Sequence, residues 1–239
     1  MKTSNKILLG TLLAILLVIT AIHATILVKY KANDFVTLKI LREEQFNTIP
    51  LKNVHSLSLS GLDNVTVVRS DTDRVEIEKQ GRALPYTMEE GILTLRGDST
   101  VNRDNGVTDH IRNYKEVVVY VSDLQSIKAD FCGVTLKSTS DPAKAPSYTL
   151  DLSNTELHFG AWSVHNDPSY FDKIDIRTAK GGSIEVRNAS TIKDLTLNLE
   201  NARFEDGAAS IGNLVVNADK TSTVQISGNN FPAAKLNLK

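Results

Sequence analysis

Two different hydrophobic patterns divide the chain. Residues 7–28 read ILLGTLLAILLVITAIHATILV and hold no charged side chain, which predicts one continuous apolar helix. From about residue 51, apolar and polar positions alternate in short runs, such as 57–59 and 65–67. Alternation with a period of two is typical of half-buried β-strands, and Asn, Asp, Gly and Ser cluster between the runs as turns require. The pattern predicts a single transmembrane helix followed by an all-β domain.

The apolar segment is long enough to cross a bilayer. A helix of residues 7–28 would measure roughly 33 Å, whereas the apolar core of a signal peptide is shorter, about 7–15 residues. An uncleaved anchor is therefore favoured, although a cleaved signal ending at Ala24 is the alternative. Lys2 and Lys6 precede the segment, and Lys29 and Lys31 follow it. Because the short N-terminal tail resembles that of signal anchors, we expect a single-pass protein of a bacterial inner membrane with its C-terminal domain in the periplasm.

The remaining chain divides at a change of composition. Residues 29–48 mix charged and apolar positions that fit a short strand or a helical turn equally well, and Pro50 marks a break. We therefore expect a membrane anchor or signal over residues 1–28 and a juxtamembrane stalk over 29–48. The β-domain would occupy residues 49–239.

The second half of the chain repeats itself. Pairs of apolar residues flanking one other residue recur every 19 to 24 positions: Ile127/Ala129, Leu150/Leu152, Ile174/Ile176, Leu195/Leu197, Leu214/Val216 and Leu236/Leu238. A unit of this length cannot bury its own apolar face, but stacked units can. The repeat predicts a single-stranded parallel β-helix, or β-solenoid, in which successive coils pair with one another. Residues 51–122 fit the start of the same solenoid with longer excursions at 80–92 and 97–114.

A β-sandwich built of hairpins is the competing fold, since it would also produce short strands at regular spacing. Hairpins often carry Asn-Gly or Asp-Gly turns. Only Asn105-Gly106 and Asp206-Gly207 occur in this chain. The repeat therefore favours the solenoid.

Composition excludes several kinds of site. The 27 basic and 28 acidic residues give no basic footprint for nucleic acid. Cys132 is the only cysteine, so an intramolecular disulfide and a multi-cysteine metal site are ruled out. His158, His165 and Asp167 lack a recognised ligand spacing and are better explained as part of a solvated turn. Because the sequence also lacks catalytic and nucleotide-binding motifs, we expect no cofactor, no metal and no catalytic residue.

One arrangement of carboxylates keeps an enzyme as the alternative. Polysaccharide-cleaving enzymes also occur on β-helices and need carboxylates clustered on one outer face. Asp151 and Asp175 occupy equivalent places in consecutive predicted coils and would lie about 5 Å apart. Thr196 stands at that place in the next coil, so the carboxylate pair is isolated. A glycan-processing activity would depend on these two residues.

Aromatic residues are concentrated between positions 159 and 171. Trp162 and Tyr170 would suit an exposed patch that stacks on a glycan or a partner protein. The simpler interpretation places Phe159 and Phe171 in the core and Trp162 over a turn. Trp162 and Tyr170 are therefore candidate surface residues only.

The strand pattern also resembles a known family. The similarity begins at Phe46 and Ile49, runs through the alternating segments 57–59, 65–67, 75–77, 91–95, 117–121 and 124–127, and continues in style to residue 239. The pattern resembles the head GIN domain family of auto-transporter adhesins from Bacteroidetes-type bacteria. The chain departs from that family at residues 131–133, where Phe-Cys-Gly replaces a Gly-Ser-rich turn. The resemblance implies an envelope-associated parallel β-solenoid with no established enzymatic activity, and the adhesin label is itself an inference in that family.

These patterns predict a non-enzymatic, envelope-anchored, adhesin-like binding protein that presents its outer face to a protein or glycan ligand. A structural or assembly module is a further alternative. The strand near Leu236 has no evident cap, and an uncapped solenoid edge can stack end to end on another chain.

Overall fold

The computed structural model describes most of the chain as two compact units. Residues 3–32, 38–80, 83–97, 99–102, 108–160, 168–187, 189–207 and 209–238 are described. One unit is Met1–Glu44 and the other is Gln45–Lys239. Each unit is considered by itself.

The first unit contains the predicted apolar helix, α1, which runs over Thr3–Lys31. Its segment Lys6–Lys31 is long and apolar enough to cross a membrane, a criterion that a signal sequence also meets. The hydroxyl groups of Thr11, Thr20 and Thr25 each donate a hydrogen bond to the carbonyl four residues earlier, at 2.7 to 3.0 Å. These polar groups are thus satisfied within the helix, as an apolar environment requires. The apolar helix is confirmed, while its orientation and cleavage stay predictions.

The predicted stalk contains a second helix, α2, over Leu38–Gln45. The structure thereby decides between the strand and the helical turn that the sequence left open. The first strand, β1, follows at once over Phe46–Pro50 and ends at the proline. Pro50 is tolerated because β1 is an edge strand, paired on one side only with the fourth strand.

The described part of the second unit contains 18 strands and two short 3₁₀ turns. The remaining strands are β2 (Ser56–Ser60), β3 (Leu62–Arg69), β4 (Arg74–Glu78), β5 (Tyr86–Glu89), β6 (Ile92–Arg96), β7 (Ser99–Asn102), β8 (Thr108–Ile111), β9 (Asn113–Val121), β10 (Ser126–Asp130), β11 (Gly133–Lys137), β12 (Tyr148–Phe159), β13 (Ser169–Val186), β14 (Ser190–Leu199), β15 (Arg203–Glu205), β16 (Ser210–Ala218), β17 (Thr223–Gln225) and β18 (Ala234–Leu238). The all-β prediction is confirmed.

Sixteen of these strands form one curled sheet that consists largely of two parallel ladders. The first ladder has the order β6-β2-β10-β12-β13-β14-β16-β18. The second has the order β9-β3-β11-β12-β13-β15-β17. The long strands β12 and β13 belong to both. Consecutive hairpins would give antiparallel pairing, so this topology disfavours the sandwich, while the coil-by-coil β-helix stays a prediction.

Each ladder carries a column of inward apolar side chains in register. In the first ladder the column is Leu93, Leu57, Ile127, Leu150, Ile176, Leu197, Val216 and Leu236. In the second it is Val117, Val65, Val134, Leu157, Ile184, Phe204 and Val224. Most of these side chains are fully buried, and each fully buried one contributes about 1.5–3 kcal/mol by leaving water. This shared core holds the strands together.

The register differs from the predicted repeat at some steps. Leu150 pairs with Ile176, two residues beyond the predicted partner Ile174. Likewise, Leu236 pairs with Val216 and not with Leu214. A shift of two residues keeps the same side chains facing inward, so alternation alone cannot distinguish the two registers.

The first half of the domain is not arranged in chain order. Strands β6 and β9 lie outside β2 and β3, although they follow them in the sequence. Antiparallel strands then cover this side: β5 pairs with β6, β4 pairs with β9, and β1 pairs with β4. The excursions predicted at 80–92 and 97–114 contain β5 and the β7-β8 hairpin.

Candidate functional site

The chain turns from the first ladder to the second through a column of left-handed corners. Gly61, Phe131, Asn154 and Asn201 have φ values of 65°, 56°, 47° and 51°. Glycine and asparagine tolerate this conformation, whereas a bulky aromatic residue there is uncommon. The neighbouring Gly133 has no room for a side chain, because a Cβ atom would lie 2.2 Å from the Asp63 carbonyl oxygen. The backbone therefore has little room to change at this corner, where Phe131 adopts a conformation that is uncommon for an aromatic residue.

A groove of about 690 Å³ opens beside these corners. We call it the corner groove; it is lined by Ser60, Arg112, Asp130, Phe131, Asn154, Glu156, Gly182 and Ser183. Its volume lies within the range of roughly 300–1,000 Å³ that is usual for small-molecule sites. Because β2, β10, β12 and β13 supply most of its walls, the lining is held by the sheet core.

Arg112 is the centre of the corner groove. Its Nη1 atom lies 3.1 Å from Asp63 Oδ1 and 3.0 Å from Glu156 Oε1. Its Nη2 atom donates a hydrogen bond of 3.2 Å to the Asn154 carbonyl oxygen, and the guanidinium stands 4.8 Å from the centre of the Phe131 ring. The guanidinium thus joins strands that are far apart in the sequence.

The electrostatics of Arg112 follow from these contacts. Burial alone would lower the pKa of the guanidinium, but hydrogen bonds and charge from Glu156 and Asp63 outweigh it and raise the pKa. The group is therefore a fixed cation. With Asp63, Glu156 and Asp130 nearby, acidic side chains outnumber it three to one around the groove. The arrangement suits a neutral or cationic polar group and disfavours an anion placed directly in it.

The carboxylates proposed for an enzyme are not register partners. Asp151 stands opposite Arg177, and Asp175 stands opposite Thr149 and Thr196. The prediction that Asp151 and Asp175 occupy equivalent places in consecutive strands is wrong, because β12 and β13 pair two residues out of the predicted step. Asp175 instead forms an ion pair of 3.1 Å with Lys173.

The aromatic candidates have different outcomes. Trp162 lies outside the described residues, as do His165 and Asp167. Tyr170 is half-buried in β13, and its backbone N–H donates to the Thr139 carbonyl at 3.0 Å. The core assignment of Phe159 and Phe171 is confirmed, since both are buried with ring centres 5.2 Å apart in an edge-to-face contact. A binding role for Trp162 and Tyr170 stays a prediction.

His158 belongs to a charged cluster on the outer face of the second ladder. Its Nδ1 atom lies 2.8 Å from Glu185 Oε2, and Arg187 Nη2 lies 3.6 Å from the same oxygen. Burial and the positive charge of Arg187 lower the pKa of His158 more than Glu185 raises it. Within the described residues, no group of three metal-ligating side chains occurs.

Sequence reasoning missed the corner groove because its central residue lies in an apparent insertion. Arg112 stands at the end of the excursion at 97–114, where no periodicity or motif singled it out. Asp63 and Glu156 appeared only as ordinary polar positions of strands. The sequence feature that could have pointed to the corner groove was Phe131, which lies where the chain departs from the pattern of the head GIN family.

Comparisons with known proteins add little. No protein-family model matches the chain, and no curated protein sequence matches it. Among solved structures, a "putative adhesin" from Parabacteroides merdae ATCC 43184 is 11% identical, with a TM-score of 0.46, over 81% of this chain and 74% of its own. Membership of the head GIN family stays a prediction.

Proposed function

We propose that this chain is a membrane-anchored, exported β-solenoid that binds a ligand in the corner groove and does not act as an enzyme. The observation that supports this proposal most directly is the fixed position of Arg112 inside a groove of about 690 Å³. Its guanidinium contacts Asp63, Glu156, the Asn154 carbonyl and the Phe131 ring. A site whose polar groups are already positioned loses little conformational entropy when it binds a ligand.

The parallel ladders support the solenoid part of the proposal. The same inward column runs through eight strands in the first ladder and seven in the second. Outward positions between these residues are mostly polar, as on the solvent face of a stacked repeat. Helix α1 supports the anchor, because Lys6–Lys31 can span a bilayer.

Binding is favoured over catalysis by the chemistry of the lining. Glycoside cleavage uses a pair of carboxylates, but Asp63 and Glu156 at the groove form ion pairs with Arg112 at 3.1 and 3.0 Å, and among the described groove-lining residues only Asp130 is a carboxylate without such a pair. The positive charge of Arg112 is already matched by two carboxylates, so it is suited to orienting a polar ligand. The glycan-processing alternative has lost the juxtaposition of Asp151 and Asp175 on which it depended.

Site-specific photocrosslinking tests the proposal. Full-length protein in nanodiscs would carry a benzophenone amino acid at Ser183 in the groove, or at the exposed Lys235 as control, and would be exposed to envelope extract. We expect one ligand species to be captured from Ser183 and not from Lys235, and to be released unaltered from wild-type protein. Identical products from both positions, or turnover of the captured ligand, would contradict the proposal.

A specific observation favours an assembly module as the second candidate. Leu236 and Leu238 occupy inward register positions in β18 but remain exposed. End-to-end association of two copies would bury them. Sedimentation of the full-length protein in detergent should then show dimers that Leu238→Glu dissociates; a concentrated wild-type monomer would contradict this candidate.

A further inference from the structure

A second depression lies on the outer face of the first ladder, next to the corner groove. Strand β2 presents three short side chains outward, Ser56, Ser58 and Ser60. On either side, β6 and β10 present longer ones: Arg96 pairs with Ser60, and Lys128 pairs with Ser58. The serines form a partly buried floor, whereas Arg96 and Lys128 are exposed walls. We call this depression the serine trench.

The serine trench continues into the corner groove. Its cavity measures about 190 Å³ and is lined by residues that include Ser60 and Asp130, which also line the corner groove. Of the three serines, Ser58 and Ser60 line this cavity, and they lie about 7 Å apart along β2 at the usual rise per residue. Together the two depressions form one elongated site that reaches from the outer face of the ladder to the Phe131 ring.

The two parts of this site differ in charge. Arg96 and Lys128 line the trench together with a single carboxylate, Asp130, so its lining carries a net positive charge. Neither Arg96 nor Lys128 forms an ion pair within the part of the chain that the structure describes. Their Cα atoms lie two strand-to-strand spacings and two residues apart, about 12 Å, so both long side chains can reach one acceptor between them. The corner groove, by contrast, is surrounded mainly by carboxylates. An elongated ligand would therefore place an acidic group in the trench and a neutral part in the groove.

The site does not suit an extended peptide. A peptide that adds to a sheet needs free backbone donors and acceptors at an edge. Strand β2 is internal, since β6 pairs with one of its sides and β10 with the other. The trench offers hydroxyl and charged side chains, which are suitable partners for sugar hydroxyl and carboxylate groups.

We propose that the serine trench and the corner groove together bind a linear, carboxylate-bearing oligosaccharide, with the carboxylate between Arg96 and Lys128 and a neutral sugar face against Phe131. This inference rests on the proposed function of the corner groove. It adds the chemical class of the ligand and the direction in which the ligand lies.

Matched pairs of oligosaccharides test the inference. Hexasaccharides of hyaluronan, unsulfated chondroitin and heparosan, in which uronates alternate with neutral N-acetylhexosamines, would each be titrated beside the corresponding methyl ester into full-length protein in nanodiscs. We expect at least one acid to bind about tenfold more tightly than its ester, since esterification removes a charge-assisted interaction. The exchanges Arg96→Gln and Lys128→Gln should each reduce that preference, whereas Lys235→Gln on the outer face of β18 should not.

The outcomes separate the two proposals. Equal affinity for acid and ester, or an acid preference that survives Arg96→Gln combined with Lys128→Gln, would overturn the oligosaccharide inference and leave ligand binding in the groove intact. Failure of all acids to bind would also overturn it, while photocrosslinking at Ser183 would still report on the groove. Loss of the Ser183 crosslink as well would overturn both.

Discussion

The two sides of the curled sheet differ in whether further strands cover their outermost parallel strands. At one side, β6 and β9 are covered by the antiparallel strands β5 and β4. Leu93 in β6 is 0% exposed there. At the other side lie β17 and β18, where Leu236 is 42% exposed and Leu238 is 74% exposed.

Leu93 and Leu236 make this difference instructive, because they belong to the same inward column of the first ladder. Both residues are leucines in parallel strands, and both side chains point inward. Only the covering strands differ. In this sheet, the contribution of an inward residue is therefore set by the strands that lie on either side of it and not by its position in the sequence repeat.

A polar network reinforces each side. Asp73 accepts hydrogen bonds from the Val54 N–H and from the N–H and hydroxyl of Ser122, at 2.7 to 2.9 Å. On the other side, Asp206 accepts bonds from Ser227 and from Asn230. Asp73 thus joins the loop before β2 to the residue after β9. Asp206 joins the end of β15 to the loop after β17.

The largest effect is expected from Leu93→Ala on the covered side. Removing a fully buried leucine leaves a cavity and should lower the free energy of unfolding by about 2–5 kcal/mol. Denaturant titration of the full-length protein in detergent, followed by circular dichroism of the β-signal, measures this loss. A loss below that of Leu236→Ala would refute the assigned covering of this side.

Asp73→Ala should have the next largest effect. It leaves the Val54 and Ser122 donors without their acceptor, at a cost of about 1–3 kcal/mol. Burial would raise the pKa of Asp73, but the hydrogen bonds from Val54 and Ser122 together outweigh burial and lower the pKa below its usual value.

The sign of the pH dependence follows from this lowered pKa. The stabilisation is present above the unfolded pKa and is lost as the pH falls through the lower folded pKa. Wild-type stability should therefore drop below about pH 4 more steeply than that of Asp73→Ala. Parallel acid titrations of the two proteins would contradict the role of Asp73.

His158→Gln probes the middle of the sheet through a smaller, pH-dependent effect. Because the folded pKa of His158 is lowered, the unfolded chain takes up a proton first as the pH falls below the usual value of about 6.5. Wild-type stability should therefore decline between that value and the lower folded pKa, and His158→Gln should decline less. Unfolding midpoints measured from pH 7.5 to pH 5 check this, and identical slopes would count against it.

The smallest effect is expected from Leu236→Ala on the open side. Since the side chain is already partly in water, the loss should be below about 1 kcal/mol. The same denaturant titration applies, with Leu93→Ala as the matched comparison. A loss equal to that of Leu93→Ala would show that a partner or a further segment covers β18.

Alternation and the internal repeat predict the β-rich domain and nearly all of its inward residues, among them Leu57, Leu197 and Val216. They do not predict the step between Leu150 and Ile176, because registers two residues apart bury the same face. The corner groove depends on Arg112 reaching Asp63 and Glu156 across about 45 residues, and no local pattern encodes such a contact. The predicted proximity of Asp151 and Asp175 is wrong for the same reason, because it assumed that Leu150 pairs with Ile174.

We propose the corner groove, and not the open side of the sheet, as the place where the ligand binds. Two phenylalanines allow a matched test: Phe131 in the groove and Phe231, which is 64% exposed beside β18. Alanine keeps the Cβ atom of either residue, and thermal unfolding would verify that both variants remain folded. For the tightest-binding acidic hexasaccharide, Phe131→Ala should weaken binding about tenfold, while Phe231→Ala leaves it unchanged. Unchanged affinity in Phe131→Ala, or a loss confined to Phe231→Ala, would show that the ligand does not bind in the corner groove.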